Sequence, residues 1–241
     1  MEDQAVIVPA PETPKEKFLS LCKSIERPGI RAMLSWLDKT DFYQAPASRA
    51  YHGSYTGGLL EHSLNVYNEM RRMVRAYASE LSGYFSCISP EGNVEDSIKI
   101  ISLFHDLCKV HFYTTEKRNR KNEHGQWESY DAFAINEAFR FGGHGSKSVY
   151  IIQNFMKLTP EEATAINCHM GAFGEDPKSV GSAFESCPLA WLLSVADQSA
   201  TYVVEWFNKN KADIWKRRQE WMDGFDTDRK EDTGERETRE E

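Results

Sequence analysis

The stretch IISLFHDLCK, residues 100–109, sets a histidine and an aspartate side by side in an otherwise apolar run. A buried carboxylate is costly unless it is paired or bound to a cation. Neighbouring positions on an α-helix point about 100° apart. His105 and Asp106 can therefore share one cation only over the edge between them or near the helix end, and Cys108 and Lys109 place them in a last turn. Two side chains do not complete a coordination shell. The chain must bring further ligands to this point from other segments, and that demand constrains the fold more than any other feature.

Four other segments hold a polar side chain in an apolar or glycine-rich helical context. His62 lies in GGLLEHSLNVY, directly after Glu61, and Asp197 lies in LLSVADQSA. His144 lies in FGGHGSKS, a glycine-rich turn at a helix start whose N–H groups, together with Lys147, can receive an anion. His169 ends a helix in INCHMG, just before Gly171. Each residue alone also fits a purely structural role: a hydrogen-bonded core histidine, or for Asp197 a buried partner of an arginine. Together, imidazoles and carboxylates make a mixed nitrogen and oxygen donor set. Such a set suits divalent Mn, Fe, Zn, Ni, Co or Mg and leaves positions for water and a phosphate oxygen.

Apolar residues at spacings of three and four predict helices along most of the chain. Thr13-Pro14-Lys15-Glu16 and Thr159-Pro160-Glu161-Glu162 both read as capping boxes with proline at the first helical position. Helices are expected from Thr13, from Ile30 to Leu37, from Leu59 to Leu81, from Val94 to Cys108, from Lys147 to Met156, from Thr159 to about His169, and from Leu189 onward to Trp221. The intervals 82–93 and 171–188 read as a linker and a Gly/Pro loop. Residues 110–133 differ, with β-leaning ends around a polar middle, and predict a hairpin. The expectation is an all-α fold of six to nine helices with one inserted β-hairpin. Residues 13–222 would form one domain, between a flexible arm (1–12) and an acidic disordered tail (223–241). There is no internal repeat.

The formal charge is −8, of which the last nineteen residues supply −5. That balance argues against a generally basic coat for nucleic acid or for anionic membranes. Five scattered cysteines with no CxxC fit free thiols in a reducing compartment. No signal-like N-terminus and no bilayer-length apolar run is present, so a cytoplasmic protein is expected.

The order His62, His105-Asp106, His144, His169, Asp197 resembles the HD-domain metal-dependent phosphohydrolase superfamily over roughly residues 50–205. In local flavour it is most similar to the bacterial branch containing a 3′-to-5′ exoribonuclease, and to related bacterial and phage proteins. The resemblance implies an all-α helical bundle and hydrolysis of a phosphoester or phosphoanhydride bond by metal-activated water. It makes His62, His105, Asp106 and Asp197 ligands of a first divalent ion, and His144 and His169 the additional histidines of members that bind two. One ion or two both remain open; with one, His144 or His169 would contact phosphate or act as general acid. Lys109 stands where members often carry a lysine near the phosphate. No strand-rich N-terminal segment of the kind that forms an oligonucleotide-binding barrel is present.

The hairpin carries Lys117, Arg118, Arg120 and Lys121 near Tyr113, Trp127 and Tyr130. Basic groups among aromatic rings suit phosphates and stacked bases, while a solvated turn whose charges discourage edge pairing fits equally. His52 and His111 either line the pocket or serve as supporting or surface residues, and His124 reads as turn surface. Three functions follow: a nucleotide phosphohydrolase, a 3′–5′ exonuclease on single-stranded RNA or DNA ends, or a non-catalytic nucleotide-binding module stabilised by metal.

Overall fold

The computed structural model describes residues 12–88, 93–139, 142–174 and 176–234. The expected arm, apart from its last residue, and the end of the acidic tail, 235–241, lie outside the described residues. The described chain is a helical assembly with a single two-stranded antiparallel sheet. Both capping boxes form as read: Thr13 accepts from the Glu16 N–H at the start of α1 (Pro14–Lys23), and Thr159 from the Glu162 N–H at the start of α7 (Pro160–Cys168).

The core is organised around α3 (Gly58–Ala76), which packs on α5 (Val94–Phe104) and α9 (Pro188–Ser199). Helix α7 lies against α9 and against α6 (His144–Gln153). The first helix buttresses the end of α5: the Phe18 ring lies 5.8 Å from Phe104 and 5.1 Å from Phe42, centroid to centroid. Phe104 directly precedes His105, so this apolar packing holds the polar doublet in place from behind. Helix α2 (Ile30–Leu37) completes the covering layer.

Two of the close backbone approaches that require glycine shape the helix starts of α3 and α6. A Cβ on Gly145 would stand 2.2 Å from the Asn167 carbonyl oxygen, so only glycine lets α6 reach the end of α7. A Cβ on Gly58 would stand 2.0 Å from the Gly53 carbonyl oxygen, where the loop 47–57 folds back onto the start of α3.

Several boundaries differ from expectation. The long helix from Leu59 breaks at Tyr77, and α4 (Ala78–Ile88) occupies much of the interval read as a linker. Leu81, Tyr84 and Phe85 supply the spacing of three and four that packs it on the core, a signal masked by Ser82 and Gly83. Helix α8 (Pro177–Ser186) lies inside the interval read as a loop. Asp176 caps it, accepting from the Ser179 N–H, while Ala183 and Phe184 pack against the core and Val180 is buried. Helix α5 stops four residues early, at Phe104. The last helix, α10 (Trp206–Gly234), does not stop at Trp221 but runs through the first twelve residues of the segment read as a tail.

The hairpin pairs β1 (Tyr113–Lys121) with β2 (Trp127–Ile135), with Tyr113 opposite Ile135 and Lys121 opposite Trp127. Most of β1 is exposed and only its base meets the helical body.

Candidate metal centre

The early stop of α5 builds the site. Beyond Phe104 the chain leaves the α-helix at Asp106 (φ −104°, ψ 20°) and enters a single tight turn over residues 107–109. The Cys108 N–H donates to the Ser148 hydroxyl at 3.0 Å, which pins this turn to α6. The doublet therefore sits on relaxed backbone at a helix end, which removes the 100° divergence that a continuous helix would impose.

His105 and His169 use one device twice. Each caps the C-terminal end of its helix, α5 or α7, where the last carbonyls lack intrahelical donors. His105 Nδ1 lies 2.8 Å from the Ser102 carbonyl oxygen, and His169 Nδ1 lies 2.6 Å from that of Ile166. A carbonyl only accepts, so each Nδ1 carries the proton and each Nε2 presents a lone pair. His62, in the second turn of α3, is fixed likewise: its Nδ1 donates to Glu205 Oε1 at 2.8 Å.

The three Nε2 atoms of His62, His105 and His169 are buried and make no hydrogen bond in the described structure. They face the same two carboxylates. His62 Nε2 lies 3.1 Å from Asp197 Oδ1, outside hydrogen-bond geometry, and 3.7 Å from Asp106 Oδ2. His105 Nε2 lies 3.4 Å from Asp106 Oδ2, and His169 Nε2 lies 3.6 Å from Asp106 Oδ1. A buried polar atom left without a partner costs about 1–3 kcal/mol. Three of them aimed at two carboxylates fit a divalent cation: neutral imidazoles and carboxylate oxygens are its donors, and the Nδ1 partners are the outer contacts that fix a ligand's tautomer. His62, His105 and Asp197 form one ligand-spaced group, and His105, Asp106 and His169 another.

The electrostatics agree. Burial alone would raise the pKa of Asp106, yet the Lys109 ammonium and His105 hold the carboxyl well below its ordinary value. Lys109 Nζ lies 2.5 Å from Asp106 Oδ2. Burial opposes the charge on Lys109, but Asp106 outweighs burial and raises the lysine's pKa. Burial also lowers the pKa of His62, but the negative charges of Asp197 and Glu205 on its two sides outweigh that and push it up to about 10. His169 is raised for the same reason, burial being overcome by Asp106.

Other residues singled out from the sequence are placed differently. His144 lies at the edge of the cluster, with its Nδ1 3.3 Å from Cys108 Sγ, in a ligand-spaced group with Asp106 and Cys108. Burial lowers its pKa. Lys147 is turned to the Phe139 carbonyl at 2.6 Å. The four hairpin cations are absent from the residues lining the cavity over the cluster, to which the hairpin contributes Tyr113 and Ile135. Three of them meet hairpin carboxylates: Lys117 with Asp131 at 2.9 Å, Arg118 with Glu116, and Arg120 with Glu128 at 2.6 Å. Lys121 lies over the Trp127 ring. His111 turns to Asp41 and Phe139, and His124 sits at the hairpin tip. The His52 ring lies 4.8 Å from the His62 ring, centroid to centroid and tilted by 43°, and lines the cavity. Partial burial, and the positive charge of His62 and Lys109 beside it, lower its pKa to about 4.

A family model for the HD domain matches residues 59–202, more than half of the chain. The chain belongs to the HD-domain family. Curated proteins and solved structures gave no match. The HD segment contains the histidine–aspartate doublet together with His62, His144, His169 and Asp197, while Glu205 lies just beyond it.

Sequence reasoning missed Glu205. Eight residues of regular α-helix would turn it about 80° from Asp197. Between them a π-helical turn, residues 200–205, unwinds the helix and lets both carboxylates face opposite nitrogens of His62. Such turns are frequent at functional sites, but no residue pattern here announces one. Asn65, one turn after His62, also donates to Glu205 Oε1, at 3.2 Å, and is the only local hint.

Proposed function

We propose that the protein is a metal-dependent phosphohydrolase acting on a nucleotide-type substrate. The observation that carries this reading is the convergence of three buried, unpartnered imidazole nitrogens on two carboxylates. His62, His105, Asp106, His169 and Asp197 would hold the cation, with His144 at the edge as a ligand for a second ion or as a proton carrier. A divalent cation held there supplies a Lewis acid that makes water more acidic and polarises a phosphoryl oxygen. The remaining work falls to side chains. Lys109 lines the cavity and carries a permanent positive charge toward the negative charge that grows on phosphoryl oxygens during displacement. His144, neutral because of burial, can take a proton or pass one to a leaving group. The three Nδ1 bonds hold the imidazoles in register for the reaction.

The cavity over the cluster measures about 660 Å³, the size of a small-molecule site rather than an extended channel. A 3′–5′ exonuclease acting on single strands would need a run of cations along the strand, and three of the four hairpin cations already have carboxylate partners. The mononucleotide reading is therefore placed ahead of it, and the complete donor set argues against a non-catalytic module. The test is elemental analysis of the purified protein, followed by a panel of nucleoside mono- and triphosphates against labelled RNA and DNA oligomers with added Mn, Fe, Ni or Co. Retained metal with phosphate release from nucleotides is the expected result. Release from oligomers alone would favour the exonuclease, and retained metal with no release from any substrate would leave the binding module.

A further inference from the structure

Three of the most exposed aromatic side chains in the described structure line the cavity that holds Asp106, His169 and Asp197. Tyr51 is 83% exposed, Phe173 85% and Tyr202 67%. Scattered exposed aromatics are ordinary, but a group around one polar cavity marks a binding surface. They come from three separate segments: the loop before α3, the short turn after His169, and the π-helical turn between Asp197 and Glu205. Two of those segments also carry or adjoin metal-centre residues, so the rings stand at the mouth while the cluster forms the floor.

The mouth is rich in rings and poor in available cations. Among the cavity's lining cations, Lys109 is buried at the cluster beside Asp106, placed to meet one phosphate and not a strand, and Lys147 is bound to the Phe139 carbonyl. Arg49, exposed beside Tyr51, has no ion pair among the described residues. A polyanion would need several such groups, since each phosphate contact adds to its affinity. One arginine and an aromatic rim suit a ligand with a flat π-face and a short phosphate group. Gln198, on the same wall, donates to Ser194 at 3.2 Å and keeps its amide oxygen for a sugar or base edge.

We infer that Tyr51, Phe173 and Tyr202 form a base-stacking subsite that selects a nucleoside monophosphate over a phosphate ester without a base. This rests on the reading of the cluster as a hydrolytic centre, and the subsite can be tested apart from it. The phosphate points down to the cluster and Lys109, the base lies against the rim, and Arg49 meets the sugar–phosphate link.

Stacking on one aromatic side chain contributes about 1–3 kcal/mol, or roughly 5- to 150-fold. The experiment compares adenosine 5′-monophosphate, ribose 5-phosphate and an eight-residue oligodeoxyadenylate, in binding by calorimetry and in phosphate release, for the metal-loaded full chain and its Phe173→Ala and Phe173→Trp variants. The expected result is a preference for the nucleotide over ribose 5-phosphate that falls about tenfold or more in Phe173→Ala and returns in Phe173→Trp. Binding of the nucleotide with that pattern but no phosphate release would uphold the subsite and sink the hydrolase reading. Equal handling of the nucleotide and ribose 5-phosphate would overturn the subsite, as would a preference unchanged by Phe173→Ala. Binding of the oligomer tenfold tighter than the monophosphate would overturn the single-base ligand in favour of a strand.

Discussion

The buried histidine–carboxylate cluster and the hairpin are both polar clusters bordered by apolar and aromatic residues in the sequence, and they resolve into opposite physical situations. In the cluster the polar atoms are buried, oriented from behind through Nδ1, and left without partners at the front. In the hairpin the cations are exposed, and three of them have carboxylates within ion-pair distance on the same two strands. Exposed pairs of that kind contribute about 0–1 kcal/mol each, whereas buried orphan atoms carry a standing cost that a ligand removes. The difference separates charge density, which the hairpin has, from unsatisfied, pre-oriented polar atoms, which only the cluster of the two has.

The comparison can be broken most decisively at Asp106. Asp106→Ala should abolish metal retention and lower hydrolysis at least about a thousandfold, the scale of the several kcal/mol that a Lewis acid supplies. Full metal content in the folded variant, by elemental analysis, would end the assignment of Asp106 as a ligand.

A second break uses protons. Without a cation His62 has its pKa pushed up to about 10, so at neutral pH it holds a proton that an incoming cation must displace. Metal affinity should therefore rise with pH, about tenfold per unit for each displaced proton, and fall as the solution is acidified. Chelator competition between pH 6 and pH 8 measures the slope. A flat profile would show that these imidazoles do not bind the cation.

Glu205 sharpens the comparison, because it tests whether orientation from behind matters. Glu205→Gln keeps an acceptor for His62 Nδ1 but loses the charge, and should weaken metal affinity about 10- to 100-fold. Calorimetric titration of the metal-free protein reads this directly, and affinity equal to that of the parent would make Glu205 a bystander.

The smallest effect is expected in the hairpin. Replacing Lys117, Arg118, Arg120 and Lys121 together by alanine should leave metal content unchanged and KM for a mononucleotide within about twofold, since those charges are exposed and largely paired. A larger rise in KM, with a reduced salt dependence on an oligonucleotide, would restore the hairpin as a phosphate-binding surface.

The amino-acid sequence by itself determined the helical class, the hairpin, both capping boxes and the polar residues of the cluster. Each of these is written in local terms: spacings of three and four, a threonine followed by proline and glutamate, a charged side chain in an apolar run. It was unreliable where local signals were diluted, as at Gly83 in α4 and Gly181 in α8, because burial against the core outweighs intrinsic propensity there. Only the tertiary structure decided how the doublet is presented, since α5 ends at Phe104 through a turn pinned to Ser148, a residue forty positions further along the chain. It also separated Lys109, which enters the cluster, from Lys147, which does not. Glu205 was legible in neither periodicity nor motif. Its role depends on a π-helical turn and on a histidine 143 residues away, and hydrogen bonds across such distances are fixed by packing, which no local pattern records.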